Sequence, residues 1–286
     1  MLKFHTVRLN DVLLHYAEAP GPGPRLLIVH GLSGSHAEFL HLVPELARQA
    51  HVYVVDLRGH GRSGWAKSGY RIVDYGCDSA AFLEQVVGGP AIVMGHSLGG
   101  LVTVWLAARK PKLIRGAILE DPGLYILQMP RFGQSWFYAY FVALGDYLGH
   151  YHANGASLEE IVTYVGQTPV GEGQTWLDVA GPEAVRERAI QLHQMDPAIL
   201  DPMLAGVLLA AEEPDDLLAR IECPIHLVAA NSELGGALAA QDVQRAVAQM
   251  PHCTHTIIAD AGHDIHLDQP QAFLRELKQF LGRFGK

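Results

Sequence analysis

The sequence predicts an α/β protein: a parallel sheet entered through one antiparallel hairpin and covered by helices on both faces. Two observations carry this. Short apolar runs of strand length alternate with segments of helix length. Several runs, such as LLIV within RLLIVHG and AIVM, are continuously apolar, as strands buried on both faces must be. Strands alternating with helices give a parallel sheet, and the right-handed crossover rule limits its topology.

The elements follow in order. HTVRL and VLLHYAEA read as a paired opening hairpin with Asn10-Asp11 at the turn. Arg25 to Gly31 is the first buried strand. Ser35 to Gln49 has helical spacing, with Phe39, Leu42, Val43 and Leu46 on one face. HVYVVDLRGHGRSG is a strand that runs into a Gly-rich loop. Asp74 to Val87 reads as a helix. PAIVMGHSLGG is a strand and a sharp turn, followed by a helix from Gly100 to Lys110 that stops before Pro111. LIRGAILEDPG is again strand then turn.

From Leu124 to Glu213 the alternation stops. FGQSWFYAYFVALGDYLGHY is aromatic and helix-compatible, and SLEEIVTYVGQT opens on a capping box at Ser157 and Glu160. This reads as an inserted helical layer, 124–213, within a core made of 1–123 and 214–286. The strand pattern resumes at PIHLVAAN. A helix from Gln241 to Gln249, the run THTIIADAGH and a last helix from Gln271 to Phe284 complete the chain.

Composition narrows the function. The 286 residues are 49% hydrophobic and 18% charged, enough for a large core. A formal charge of −9 disfavours nucleic acid and anionic membrane surfaces, which reward basic patches. No run reaches the ~20 apolar residues of a membrane helix. The opening MLKFHTVRLND does not read as a signal peptide. Cys77, Cys223 and Cys253 are odd in number and lack CxxC spacing, which fits reduced thiols in a cytoplasmic protein.

Ligands of such sheets bind beyond the carboxyl ends of the strands, so the chemistry should sit in the loops there. Gly95-His96-Ser97-Leu98-Gly99 lies in one of them. A bare GxSxG occurs by chance in roughly one chain in ten of this length, so the motif alone is weak. Its strand–turn–helix setting makes it strong. A tight turn pushes the Ser97 hydroxyl out at the sheet edge, and Gly95 and Gly99 stand where a side chain would clash. The helix that starts there aims its free N–H groups at the reacting oxygen. The Leu98 N–H is one candidate oxyanion donor. The Leu32 N–H, after His30-Gly31, is the other.

A serine nucleophile needs a base. His263 follows the last strand and fits the chain order nucleophile, acid, base; His266, three residues on, is its rival. The base needs a carboxylate. Asp121, at the end of GAILE, and Glu233, in the loop after PIHLVAAN, both lie between Ser97 and His263, and order does not separate them.

HG after the third strand, DLRGHGRS after the fourth, GHSLGG after the fifth and AGHDIHLDQP after the eighth together resemble the α/β-hydrolase superfamily. The resemblance runs from about Leu26 to Phe284, except the helical insert. It implies an eight-stranded, mostly parallel sheet, a helical lid inserted after strand six, a Ser–His–acid triad and no cofactor. By position Ser97 is its nucleophile, His263 its base, and Leu32 and Leu98 its oxyanion donors. The family's usual acid is an Asp after strand seven, where this chain has Glu233; some members place it after strand six, at the position of Asp121. A serine at the elbow sets the chain apart from relatives resembling epoxide hydrolases and dehalogenases, which have Asp there.

The activity expected is hydrolysis of a small-to-medium, partly apolar ester or lactone through an acyl-enzyme. The aromatic insert supplies an apolar wall. The substrate-binding candidates are His30, Gly31 and His96 beside the nucleophile and Trp136 and Tyr140 in the insert. The same frame also fits a carbon–carbon bond hydrolase, a cofactor-free oxidative enzyme or a non-catalytic small-molecule receptor. His150 with His152, and His252, Cys253 and His255, lack zinc spacing, so no metal is expected.

Overall fold

The computed structural model describes residues 1–67, 69–171 and 173–285. Eight strands form one sheet: β1 (Lys3–Leu9), β2 (Val12–Ala19), β3 (Arg25–Val29), β4 (His51–Val55), β5 (Ala91–His96), β6 (Ile114–Glu120), β7 (Ile225–Ala230) and β8 (Cys253–Ile258). Their spatial order is β1-β2-β4-β3-β5-β6-β7-β8. The pairs β1–β2 and β2–β4 are antiparallel and the rest are parallel, as the alternating pattern predicts.

The helices before β6 are α1 (Val43–Leu46), α2 (Ile72–Phe82) and α3 (Leu98–Arg109). Between β6 and β7 come α4 (Trp136–Asn154), α5 (Leu158–Gln167), α6 (Trp176–Gln194), α7 (Asp201–Leu204) and α8 (Pro214–Leu218). α6 is kinked at Gly181, whose φ is 79°. α9 (Ala240–Gln249), α10 (Ile265–Asp268) and α11 (Pro270–Gly282) follow. Among the described residues no helix is long and apolar enough to cross a membrane.

Alternation along the strands divides the core into two layers. Leu27, Val29, Val93, Leu119 and Leu227 face α2, α3 and the helices inserted after β6. Leu26, Ile28, Ile92, Met94, Ile118 and Val228 face α1 and α11.

One element differs from expectation. Ser35 to Gln49 is not a single helix but a 3-10 turn, His36–Phe39, and then α1. Pro44 sits in the first turn of α1, where its missing N–H costs nothing, and it restarts the helix there. The chain before it is tied down elsewhere. The backbone N–H of His36 donates to Asp56 Oδ1 at 2.6 Å, and its ring Nδ1–H reaches both Asp56 oxygens at 2.9 Å.

Asp56 is fully buried just beyond β4. It also accepts from the Arg62 backbone N–H at 3.0 Å and from the His15 ring at 3.2 Å. It therefore joins the hairpin, the turn after β3 and the loop after β4. Burial alone would raise its pKa, but the hydrogen bonds from His15 and His36 outweigh burial and hold it well below the usual carboxylate range. A depressed carboxylate stabilises the fold above its unfolded pKa and loses that contribution as pH falls. Asp56→Ala should cost about 3–5 kcal/mol in urea unfolding at neutral pH, because it strands several buried donors. A loss below about 1 kcal/mol, the scale of one ordinary hydrogen bond, would contradict this reading.

Candidate active site

The parallel ladders set the site. Val29 pairs with Gly95, His96 with Glu120, Glu120 with Val228, and Ala230 with Ile258. The loops after β3, β5, β6, β7 and β8 therefore leave the sheet along one rim.

At the end of β5 the chain turns sharply into α3. Ser97 sits in the turn at φ 49° and ψ −110°, a conformation that a side chain tolerates poorly. A Cβ on Gly95 would lie 2.0 Å from the Gly99 carbonyl oxygen, and one on Gly99 would lie 2.2 Å from that of Val29. The two glycines are needed because backbones pass where side chains would stand.

The loop after β8 brings His263 over this turn. The Ser97 hydroxyl donates to His263 Nε2 at 2.9 Å. His263 Nδ1–H donates to Asp121 Oδ2 at 2.7 Å. Asp121 directly follows β6, is fully buried, and accepts the N–H groups of Ala230 at 3.2 Å and Ala237 at 2.7 Å. The structure thus brings Asp121, and not Glu233, to the imidazole. Glu233 lies in a 3-10 turn capped by the Asn231 side chain, which accepts the Glu233 N–H at 2.9 Å, and it is exposed. The loop after β7 meets the base only indirectly, through the Ala237 N–H that it gives to Asp121 beside that of Ala230 at the end of β7.

Electrostatics separate the three rings gathered here. Burial opposes charge on His263, but the hydrogen bond and charge of Asp121 outweigh it and raise its pKa above the ordinary 6.5. His96 and His266 are pushed down to about 4 by burial. His263 is the ring that holds a proton readily.

Ser97 and His263 border a small closed cavity of about 20 Å³, room for about one water molecule. Its walls are Leu32 and Leu98, then Ile126, Leu127, Phe137, Phe141, Met203 and Leu208 from the chain after β6. Leu98 is the first residue of α3, so its N–H has no acceptor within the helix. A larger cleft of about 830 Å³ lies by Asn10, Arg58 and Tyr70, but neither Ser97 nor His263 lines it. Ser97 and His263 line only the smaller of these two cavities.

None of His30, Gly31, His96, Trp136 or Tyr140 lines the cavity. His30 is buried: its Nδ1–H donates to the Gly31 carbonyl at 2.7 Å and its Nε2 accepts the Leu57 N–H at 2.9 Å. It pins the turn. Gly31 packs on His96, where a Cβ would lie 2.7 Å from Nδ1. Trp136 is 54% exposed and stacks on Phe137, while the Tyr140 hydroxyl accepts from Arg188 at 2.6 Å. The inward face of α4 is one residue further on, Phe137, Phe141, Leu144 and Leu148, an i, i+4, i+7 stripe readable in the sequence.

Arg188 was not singled out by the sequence. From α6 it donates to the carbonyl of Ser33 and to its hydroxyl, both at 2.9 Å. It thus ties the inserted helices to the turn that carries Leu32. Among the described residues two groups offer metal-ligand atoms within 4.8 Å, His15–His36–Asp56 and His96–Glu120–His266. In the first group Asp56 accepts from both rings, and in the second Glu120 accepts from the His266 ring.

A model of the alpha/beta hydrolase family matches residues 26–276. The chain belongs to that family. Its relatives include 2-(acetamidomethylene)succinate hydrolase of Mesorhizobium japonicum, 38% identical over 120 residues, or 42% of this chain and 43% of that protein. The match to 3-oxoadipate enol-lactonase 2 of Acinetobacter baylyi is 24% identical but covers 98% of this chain and 97% of that one. A solved hydrolase from Pseudomonas aeruginosa superposes with a TM-score of 0.76 at 22% identity, over 98% of each chain, and shows the shared fold. The chain spans less than half the length of the first of these and of other curated relatives that it matches.

The site makes a prediction that needs no substrate. In nitrogen-15 NMR the His263 imidazole should titrate above the ordinary value near 6.5. Asp121→Asn should lower that midpoint and Glu233→Gln should leave it in place. A midpoint that follows Glu233 instead would overturn the assignment of the partner.

Proposed function

We propose that the chain hydrolyses a carboxylic ester or lactone of a small, partly apolar molecule, with Ser97 as nucleophile, His263 as base and Asp121 as the triad acid. The observation that carries this is the bridge of His263 between the Ser97 hydroxyl and Asp121, 2.9 Å on one side and 2.7 Å on the other.

Ser97 Oγ attacks the carbonyl carbon as its proton passes to His263 Nε2. The carbonyl oxygen gains the negative charge and meets the N–H groups of Leu32 and Leu98. The carbon–oxygen bond breaks, and the His263 proton goes to the departing alkoxide. Water then attacks the acyl-enzyme with His263 again as base, releasing the acid and free Ser97. Asp121 holds the ring in the tautomer that leaves Nε2 bare and steadies the charged ring.

The apolar walls favour an apolar acyl group. A cavity this small would have to widen to take an ester, and the helices between β6 and β7, which supply most of its apolar wall, would be the lid that moves. The net charge of −9 speaks against nucleic acid as a partner. The three free cysteines suit a reducing compartment and favour the cytoplasm. The enol-lactonase relative, matched over nearly its whole length, favours ester-type bonds over the carbon–carbon alternative.

With p-nitrophenyl butyrate, Ser97→Ala should reduce turnover to background and Asp121→Asn should lower kcat by ~10⁴-fold. Glu233→Gln should behave as wild type. Absence of turnover by the wild type across a panel of acyl chain lengths would overturn the proposal. The base must be neutral to accept the Ser97 proton, and its pKa is raised. Wild-type kcat/KM should therefore fall on the acid side of a limb lying above 6.5, and the limb should move down in Asp121→Asn. A limb well below 6.5 in the wild type would contradict the role of Asp121.

A further inference from the structure

Behind the reacting groups lies a second row of buried polar residues. His96 ends β5 and precedes Ser97; Glu120 ends β6 and precedes Asp121; His266 follows His263 by three residues. His96 and Glu120 are register partners on neighbouring strands. Glu120 and His266 are fully buried and His96 nearly so, and none lines the cavity.

The row is joined to the reacting groups by hydrogen bonds. Glu120 Oε1 accepts the backbone N–H of His266 at 2.7 Å and its ring Nδ1–H at 2.8 Å. The Glu120 carbonyl accepts the Ser97 N–H at 3.0 Å. His96 Nε2–H donates to the carbonyl of His263 at 3.1 Å. Phe39 stacks on the His266 ring at 4.2 Å, and the His41 ring donates to the His266 carbonyl at 3.0 Å. Glu120 thus touches the nucleophile through its backbone, adjoins Asp121 in the chain, and grips the start of the helix after His263.

We propose that Glu120 and His266 are a positioning pair, which locks the loop of His263 so that its ring meets Ser97 and Asp121 together. This rests on the triad reading above. Neither residue reaches the cavity, so both act through His263. Glu120 does so as a neutral acid. Its second oxygen, Oε2, is buried without a partner, as is Nδ1 of His96 in the same cluster. The His96 bond to the His263 carbonyl uses Nε2–H, which leaves Nδ1 a bare acceptor. Oε2 and that nitrogen are not within hydrogen-bond reach of each other, and a buried oxygen left without a donor costs less on a neutral acid than on a carboxylate. Burial pushes the Glu120 pKa up to about 8, in keeping with a protonated group at neutral pH. Asp121, one residue on, is then the carboxylate that charges the pair with His263.

A neutral acid is imitated by an amide. Glu120→Gln should keep kcat within about threefold of wild type, whereas Glu120→Leu should lower kcat by about 100-fold with KM little changed, the scale for a misplaced catalytic group. Proton NMR gives a readout independent of substrate. The downfield resonance of the His263 Nδ1–H should survive in Glu120→Gln and broaden or vanish in Glu120→Leu. His266→Phe keeps the stack on Phe39 and deletes only the ring donor; it should lower kcat about 10-fold and weaken the same resonance, and it decides the matter if Glu120→Leu does not fold. Wild-type kcat and an intact resonance in folded Glu120→Leu or in His266→Phe would overturn the pairing. An equal loss in Glu120→Gln and Glu120→Leu would overturn the neutral acid. Absence of wild-type ester turnover would strike the triad reading instead, and the NMR comparison would still judge this one.

Discussion

The imidazole of His263 is held from both sides at once, and the surrounding structure serves that constraint. Ser97, Asp121 and His263 come from three loops far apart in the chain. Each contact is a hydrogen bond of the charge-assisted or neutral kind, about 1–3 kcal/mol net. Such bonds are too weak to gather the loops. The ladders between β5, β6, β7 and β8 do the gathering, and the hydrogen bonds then select the last fraction of an ångström.

Holding the groups there bends the backbone out of its comfortable regions. Among the described residues five non-glycine positions have positive φ, and three of them belong to the site: Ser33 at 63°, Ser97 at 49° and Asp121 at 38°. Each costs on the order of 1–3 kcal/mol and persists only where neighbours over-determine it. Arg188 grips Ser33, the close glycine contacts grip Ser97, and two N–H groups, one at the end of β7 and one in the loop after it, grip Asp121. Asp56, Glu38 and Gln191 brace the same turn from outside: Gln191 donates to Glu38 at 3.1 Å, and burial pushes the Glu38 pKa up to about 8. The inserted helices are therefore fastened to the turn of Leu32 through Arg188 and Gln191.

Much of this was legible in the sequence because it rests on local patterns. Continuous apolar runs gave the parallel strands, and Gly-x-Ser-x-Gly between a strand and a helix gave the bend at Ser97. The partner of His263 was not legible. Asp121 and Glu233 both follow strands, and the decision lies in a three-dimensional fact, that the loop after β7 turns Glu233 outward and offers its N–H groups to Asp121. The aromatic wall was legible as a stretch but not residue by residue: on α4 Phe137 and Phe141 line the cavity, while Trp136 and Tyr140 beside them are exposed. The single helix expected from Ser35 to Gln49 failed because a long-range contact, His36 on Asp56, overrode local periodicity. A glutamate ending an apolar strand gives no sign that it is buried, so Glu120 could be placed at the strand end with Asp121 but its contact with His266 could not be read.

The central claim is that the bend at Ser97 and the ring of His263 make one activated nucleophile. Labelling with a fluorophosphonate, followed by peptide mass spectrometry, tests it most directly. The account predicts a single adduct on Ser97 in the wild type and none in His263→Ala. An adduct on another residue, or labelling of Ser97 at an undiminished rate without His263, would contradict it.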